Sequence, residues 1–265
     1  MSGGTDWPKR RKKGPPSPPS TGSGQAKLPL AGEVIDLLAA LELFPSRSNG
    51  VFHGNAMSSL LTCTDCPRLA DFLVQVKSGN PGYHCKPVVP FGDDRARLLI
   101  VGLAPGMHGA NRTGRPFTGD YAGILLYDTL HRFGFGSAPV SLAADDGLIL
   151  TDCRITNAVK CLPPENKPEP AEIRTCNTYL ADELRASPQV KVILALGLVA
   201  HKAVLMALGL KQSARTFGHG ARHELPDGRV LIDSYHCSRY NTNTGRLTEA
   251  SFHDVFRLVR VELDA

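Results

Sequence analysis

The sequence predicts an α/β protein in which a parallel sheet is covered on both faces by helices. Three observations point to it. The runs Leu98-Leu99-Ile100-Val101 and Val190-Lys191-Val192-Ile193-Leu194-Ala195-Leu196 are short and almost continuously apolar, as strands buried on both faces are. They alternate with segments of helical apolar spacing, and strands separated by helices call for crossover connections. Glycine-rich or polar loops follow the runs, and in open parallel sheets the active site lies at the carboxyl ends of the strands.

Taken in order, residues 1–27 are rich in Pro, Gly, Ser and Lys/Arg and nearly without aliphatic residues. Such a segment cannot bury enough apolar surface to offset its ordering entropy and reads as a disordered tail, which includes Trp7. Residues 28–265 read as a single domain. Leu37, Leu38, Leu41 and Leu43 suit a first helix, and Arg68–Val76 a second one just after a Cys-x-x-Cys. Leu98–Val101 is the first strand. A helix over Ala122–Phe133 directs Leu125, Leu126, Thr129 and Leu130 toward the core. Leu148–Asn157 gives a second strand and Val190–Leu196 a third, which passes through Gly197 into a helix ending near Leu208. Arg229–Tyr235 is the fourth strand. Thr248–Leu263 closes the chain as a helix, with Thr248 placed to cap it.

The bulk numbers narrow the function classes. The net charge is +5, and the five basic residues Lys9–Lys13 supply all of it, so the body of the chain is close to neutral. The basic run suits nucleic-acid phosphates, and equally a solvated tail. No apolar run approaches the ~18–20 residues of a membrane span, and no apolar segment follows the basic N-terminus as in a secretory signal. A cytoplasmic protein without a membrane association is expected. Seven cysteines argue for metal binding or buried thiols over a disulfide framework.

The loop after the first strand, Gly102-Leu103-Ala104-Pro105-Gly106-Met107-His108-Gly109-Ala110-Asn111-Arg112-Thr113-Gly114-Arg115-Pro116-Phe117-Thr118-Gly119-Asp120, is punctuated by glycines. That composition gives tight turns and lets backbone approach a ligand closely. Its amides suit a phosphate or a carbonyl oxygen, although neither Gly-Lys-Ser/Thr nor G-x-G-x-x-G occurs. Phe117 suits either a binding face or core packing, and Asp120 either chemistry or the cap of the helix near Ala122. Cys63 and Cys66 form a Cys-x-x-Cys, while Cys161 and Cys176 bracket a proline-rich loop. Four thiolates suit a [4Fe–4S] cluster or tetrahedral zinc. The spacing is irregular for a zinc ribbon, which uses two close pairs. Cys85, Cys153 and Cys237 are left over, with Cys153 reading as a buried thiol in its strand.

These motifs carry a specific resemblance. GLAPGMHGANRTGRPFTGD resembles the first motif of the fifth, B-type family of uracil-DNA glycosylases. SYHCSRYNTNTGRLT resembles the second motif of that family, with Cys237 where proline is usual, and TNAVKC matches a segment between the two. The resemblance covers residues from about 55 to 262. It implies a single three-layer α/β/α domain with a central, mainly parallel four-stranded sheet, the uracil-DNA glycosylase fold. It also implies a monofunctional DNA repair enzyme that hydrolyses the N-glycosidic bond of uracil in double-stranded DNA and leaves an abasic site. Hypoxanthine and ethenocytosine are further substrates that it suggests.

The site residues follow from the same resemblance. Phe117 stacks on the extruded base and Asn157 reads its edge, since an amide donates and accepts together. Ala104 and Gly106 belong to the base-binding loop, with Ala104 where relatives carry an acidic residue. His236 stabilises the leaving uracil anion. Asp120 supports the cationic sugar and the attacking water, because cleavage builds positive charge there. Ser238, Arg239 and Asn241 contact DNA. Cys63, Cys66, Cys161 and Cys176 hold a [4Fe–4S] cluster that staples the N-terminal region to the loop after the second strand. A monomer is expected. The competing reading is a non-catalytic iron–sulfur protein that binds damaged DNA, favoured by Ala104 and Cys237.

Overall fold

The computed structural model describes residues 59–265. The tail boundary at residue 27, the basic run Lys9–Lys13, Trp7 and the helix expected over Leu37–Leu43 lie outside them. Six strands form one sheet in the order β1-β3-β2-β4-β6-β5. They are β1 (Phe91–Gly92), β2 (Leu98–Gly102), β3 (Cys153–Asn157), β4 (Val192–Leu196), β5 (Arg222–Glu224) and β6 (Val230–Ser234). The helices are α1 (Pro67–Gly79), α2 (Ala110–Thr113), α3 (Tyr121–Arg132), α4 (Pro170–Ala186), α5 (Leu198–Ala207), α6 (Arg239–Asn243) and α7 (Glu249–Asp264).

The four central strands pair in parallel and are the four that the apolar runs predict. The sheet is nevertheless wider than the expected four strands. Antiparallel β1 and β5 extend its two edges. Both are short, and the exposed-intermediate-exposed pattern of β5 leaves no apolar run to signal it. The second strand is also shorter than Leu148–Asn157: Leu148 and Leu150 are buried, but Leu150 makes only an isolated bridge to Gly136.

Alternate residues of the central strands serve two cores, as the period-2 geometry of a strand requires. Leu98, Ile100, Leu194 and Ile232 pack with Leu126 and Leu130 of α3 and with Phe252, Phe256 and Val259 of α7. Leu99, Val101, Ile193 and Leu231 face the other way, onto Leu180 and Leu184 of α4 and Ala203 and Val204 of α5. The result is the three-layer arrangement expected. Local signals set the helix starts. Thr248 and Ser251 form a reciprocal cap on α7, and Glu169 with Glu172 caps α4 behind Pro170, satisfying amides that have no partner inside the helix.

Helix α1 lies apart from these two cores. Its Leu69 packs with Val159 and Cys176, and Leu73 and Val76 pack with Cys85 and Leu162. Arg68 adds a two-pronged ion pair to Glu172 of α4, with both N–O distances 2.7 Å. Among the described residues, no helix is long and apolar enough to cross a membrane.

Candidate active site

The candidate site begins where β2 and β3 end side by side. Gly102 and Asn157 are register partners. The ladder then continues into the loops, through Ala158 N–H to the Gly102 carbonyl (2.9 Å) and Val159 N–H to the Leu103 carbonyl (3.0 Å). A methyl group on Gly102 would lie 2.4 Å from Asn157 Oδ1 and 2.6 Å from Phe117 Cζ. Only glycine lets the amide and the ring meet over this strand end. Asn157 Oδ1 is buried and has no hydrogen-bond partner. An unsatisfied buried acceptor costs about 1–3 kcal/mol, so this oxygen is open to a donor from outside the protein's own side chains and backbone.

Phe117 is buried with φ +54°, a left-handed conformation that costs a non-glycine residue about 1–3 kcal/mol and persists only where its surroundings over-determine it. They do so here. Tyr127 OH donates to the Pro116 carbonyl (2.7 Å), and the Thr118 and Ser141 hydroxyls are 2.7 Å apart. Buried Arg115 pairs with Asp146 (2.6 Å) and lies 4.3 Å over the Phe91 ring. The Phe117 ring stacks toward His236 at 5.8 Å, with 27° between the planes.

Asp120 is the helix cap that one of its sequence readings expects. Its Oδ1 accepts the Gly123 N–H at 2.8 Å and caps α3. Its Oδ2 faces the glycines of the first loop: a Cβ on Gly109 would lie 2.5 Å from it, and one on Gly106 3.5 Å. One oxygen therefore holds the helix while the other points into the loop. Burial raises the Asp120 pKa above the usual carboxylate value, against the pull of the Gly123 and Ala122 amides.

His236 leaves the end of β6 beside Gly197, where a Cβ would come within 3.6 Å of its own. Burial pushes its pKa down to about 4, so the ring is neutral at physiological pH. Asn241 Nδ2 donates to the His236 carbonyl (2.8 Å). Ser238 caps α6 by accepting the Asn241 N–H (3.5 Å). The Arg239 guanidinium sits 4.9 Å over the Tyr121 ring, and Thr242 Oγ1 donates to Tyr121 OH (3.2 Å). The loop after β6 is thus tied to the residue next to Asp120. Cys237 is fully buried, and its thiol is raised by burial and by the nearby Asp120 charge. Its side chain is a neutral member of the core.

Ala104 packs against the cluster of Leu69, Val159 and Cys176, of which Leu69 and Cys176 line a cavity. Cys63, Cys66, Cys161 and Cys176 line that cavity together with Lys160 and Tyr179. Burial is the main force raising the Cys66 thiol to about 11, with Cys176 and Cys63 adding to it. Cys161 and Cys176 are raised for the same reason. Lys160 N–H donates to Cys176 Sγ (3.2 Å). The Lys160 ammonium is buried, bonded to Thr156 Oγ1 and 3.4 Å from Glu183 Oε2. Cys85 and Cys153 lie in other packing groups, Cys153 buried in its strand as expected.

Sequence reasoning passed over several members of this region. Gly102 and Gly109 were part of a glycine-rich loop, but nothing in the string says which glycine meets which side chain. Tyr121 and Tyr179 carry no motif signal, and their roles arise from contacts far along the chain.

Comparison with known proteins agrees with this geometry. Residues 89–260 match the family described as the uracil DNA glycosylase superfamily. The chain is 49% identical over 205 residues to the type-5 uracil-DNA glycosylase of Thermus thermophilus, which covers 75% of this chain and 93% of the relative. It is 44% identical over 211 residues to the type-5 uracil-DNA glycosylase of Mycobacterium tuberculosis, covering 77% and 78%. A type-4 uracil-DNA glycosylase of Sulfurisphaera tokodaii is 30% identical over 173 residues, covering 63% and 72%.

Proposed function

The chain belongs to the uracil DNA glycosylase superfamily and, within it, to the type-5 family; from that premise we propose how its own residues excise uracil. Its activity is that of a uracil-DNA glycosylase, an N-glycosyl hydrolase acting in DNA repair. The substrate is duplex DNA, with the damaged nucleotide extruded from the stack. Free uracil and an abasic site are the products. No Schiff-base lysine is required: Lys160, near the site by sequence, is buried and engaged with Thr156 and Glu183. Hypoxanthine and ethenocytosine are the further substrates we propose. The enzyme acts in the cytoplasm as a monomer.

The observation that carries the reading is the buried, unpartnered Asn157 Oδ1 beside the strained Phe117. Phe117 supplies a face for the base, and Asn157 supplies an acceptor for a ring N–H and a donor for a carbonyl oxygen. Cleavage leaves negative charge on the base and positive charge on the sugar. Neutral His236 donates a hydrogen bond to the uracil oxygen as that charge grows, with the ring half-buried, where such a bond is worth more than in water. Asp120 Oδ2 stabilises the sugar cation and orients the water that attacks C1′, the water's proton passing to the carboxylate. Ser238 and Arg239 grip phosphates. Asn241 holds the His236 carbonyl and so shapes the loop that meets the duplex. Backbone at Ala104 and Gly106 lines the approach to the sugar.

Asn157→Ala separates recognition from packing. Single-turnover excision is expected to fall about tenfold to a hundredfold, the cost of one lost buried hydrogen bond to substrate. The thermal midpoint of the free protein is expected to hold or rise, because an unsatisfied buried oxygen has gone. A midpoint several degrees lower with unchanged excision makes Asn157 an ordinary core residue.

We propose Cys63, Cys66, Cys161 and Cys176 as ligands of a [4Fe–4S] cluster. Support comes from the donor set itself. The four thiols share one cavity, and four thiolates are the usual ligand set of such a cluster. Bound there, the cluster would staple the segment before α1 to the segment after β3. Cys66→Ser is expected to lose the brown colour and the absorbance near 400 nm and to melt at lower temperature. Full iron and sulfide content in that variant removes Cys66 from the ligand set.

The defining experiment is incubation of anaerobically purified protein with duplexes carrying one uracil, followed by alkali. Strand breaks only after alkali establish monofunctional excision. No abasic sites from brown, folded protein that still binds the duplex turn the reading toward a non-catalytic binder of damaged DNA.

A further inference from the structure

The residues that lead into His236 are held by a segment that has no part in the reaction as described. Beside β6, Gly218 N–H donates to Asp233 Oδ2 (3.3 Å). Gly220 N–H donates to the Asp233 carbonyl (2.8 Å), and Asp233 N–H to the Ala221 carbonyl (2.9 Å). Asp233 is fully buried, with His201 Nδ1 at 2.8 Å from Oδ1 and His223 Nε2 at 3.0 Å from Oδ2. These three residues are of metal-ligating type. Each of their facing atoms is already hydrogen-bonded, and His201 Nε2 also meets the Arg215 carbonyl at 3.1 Å. The set therefore serves as a charged support for the end of the strand.

The next residues show how that support reaches the site. The sheet's pairing ends at Leu196–Ser234, where Gly197 N–H donates to the Ser234 carbonyl (2.8 Å). Tyr235 N–H lies beyond the last rung, and a part-buried amide left without an acceptor is costly. His219 supplies the acceptor: its Nδ1 is 3.2 Å from Tyr235 N. The two rings stack at 5.0 Å with planes 6° apart, and the Arg246 guanidinium lies 4.3 Å over the Tyr235 ring. A neutral imidazole protonated on its other nitrogen can accept at Nδ1. Burial keeps this imidazole neutral, as an accepting Nδ1 requires.

We propose that His219 is a positioning residue for His236: it accepts the Tyr235 N–H and stacks on the Tyr235 ring, and so sets the direction in which His236 donates. The inference rests on the role given to His236 above. Hydrogen-bond stabilisation of a developing anion is steep in geometry, and a misplacement of about 1 Å can cost ~10²-fold. A backbone fixed by one side chain from a loop is therefore a sensitive point.

Three variants test it in cluster-loaded protein. His219→Ala removes the acceptor and the ring, His219→Phe keeps the stack alone, and His219→Asn keeps an acceptor oxygen near the place of Nδ1. Single-turnover uracil excision is expected to fall about tenfold to a hundredfold in the Ala and Phe variants. The Asn variant is expected to recover to within a few-fold of the native rate. Affinity for an abasic-site duplex stays within about twofold throughout. The His236 ring resonances in ¹H–¹⁵N spectra move in Ala and Phe and return in Asn. Should the Ala variant fail to fold, the Phe and Asn pair carries the test. His236→Ala is measured alongside. Native activity in that variant sinks the role of His236 itself. Loss there, together with native rates in His219→Ala or equal rates in Phe and Asn, sinks the positioning role alone.

Discussion

Single-turnover excision of uracil falls about 10²–10³-fold when His236 is replaced by alanine, the usual cost of removing one preorganised donor to a developing anion. The size follows from the setting. The ring is stacked toward Phe117 and held on a backbone bonded by Asn241 and His219, so donation requires no reorganisation when charge appears. Its pKa of about 4 means that the neutral ring is the working form. The rate in the native enzyme is therefore expected to show no limb near the ordinary histidine value of about 6.5. A limb at that pH, lost in His236→Ala, would contradict donation by a neutral imidazole. Binding to abasic-site DNA should change little, because the donor acts on a group that has already left.

Asp120→Asn carries the second large effect, a drop of about 10²–10⁴-fold in the same assay. Asparagine caps a helix about as well as aspartate, so the bond to Gly123 N–H is kept while the negative charge opposite the sugar is lost. The fold is expected to survive within a few tenths of a kcal/mol. Asp120→Ala should lose the cap as well, at about 1 kcal/mol. A carboxylate of raised pKa also predicts an acid limb in the rate. Activity is full above the Asp120 pKa and falls as pH drops through it, at a pH higher than the usual 3.8 for aspartate. Linkage runs in the opposite sense: a folded pKa above the unfolded one means that the native state binds more protons, so this group's contribution to stability improves on acidification. Native rates in Asp120→Asn across the pH range would leave Asp120 as a cap only.

The central fold was legible because its signals are local and apolar. Leu98–Val101 and Val192–Leu196 are fully buried strands, and such strands announce themselves by continuous hydrophobicity. The edge strands do not, since Phe91-Gly92 and Arg222–Glu224 take their conformation from a neighbour's unpaired backbone. At the site, residue types were readable and relations between them were not. Asp120 looked like a cap or a catalytic group; one of its oxygens is the cap and the other faces Gly106 and Gly109. Ala104 packs against Leu69, Val159 and Cys176, a contact that arises because the loops after β2 and β3 run together. The service of His219 to Tyr235 spans sixteen residues, and no periodicity encodes it.

Gly102 has a consequence at the level of the gene. Any missense change in a glycine codon introduces a Cβ, and here that atom meets both the amide of Asn157 and the ring of Phe117. Every missense route from this position therefore crowds the end of β2 between Asn157 and Phe117, whatever residue results.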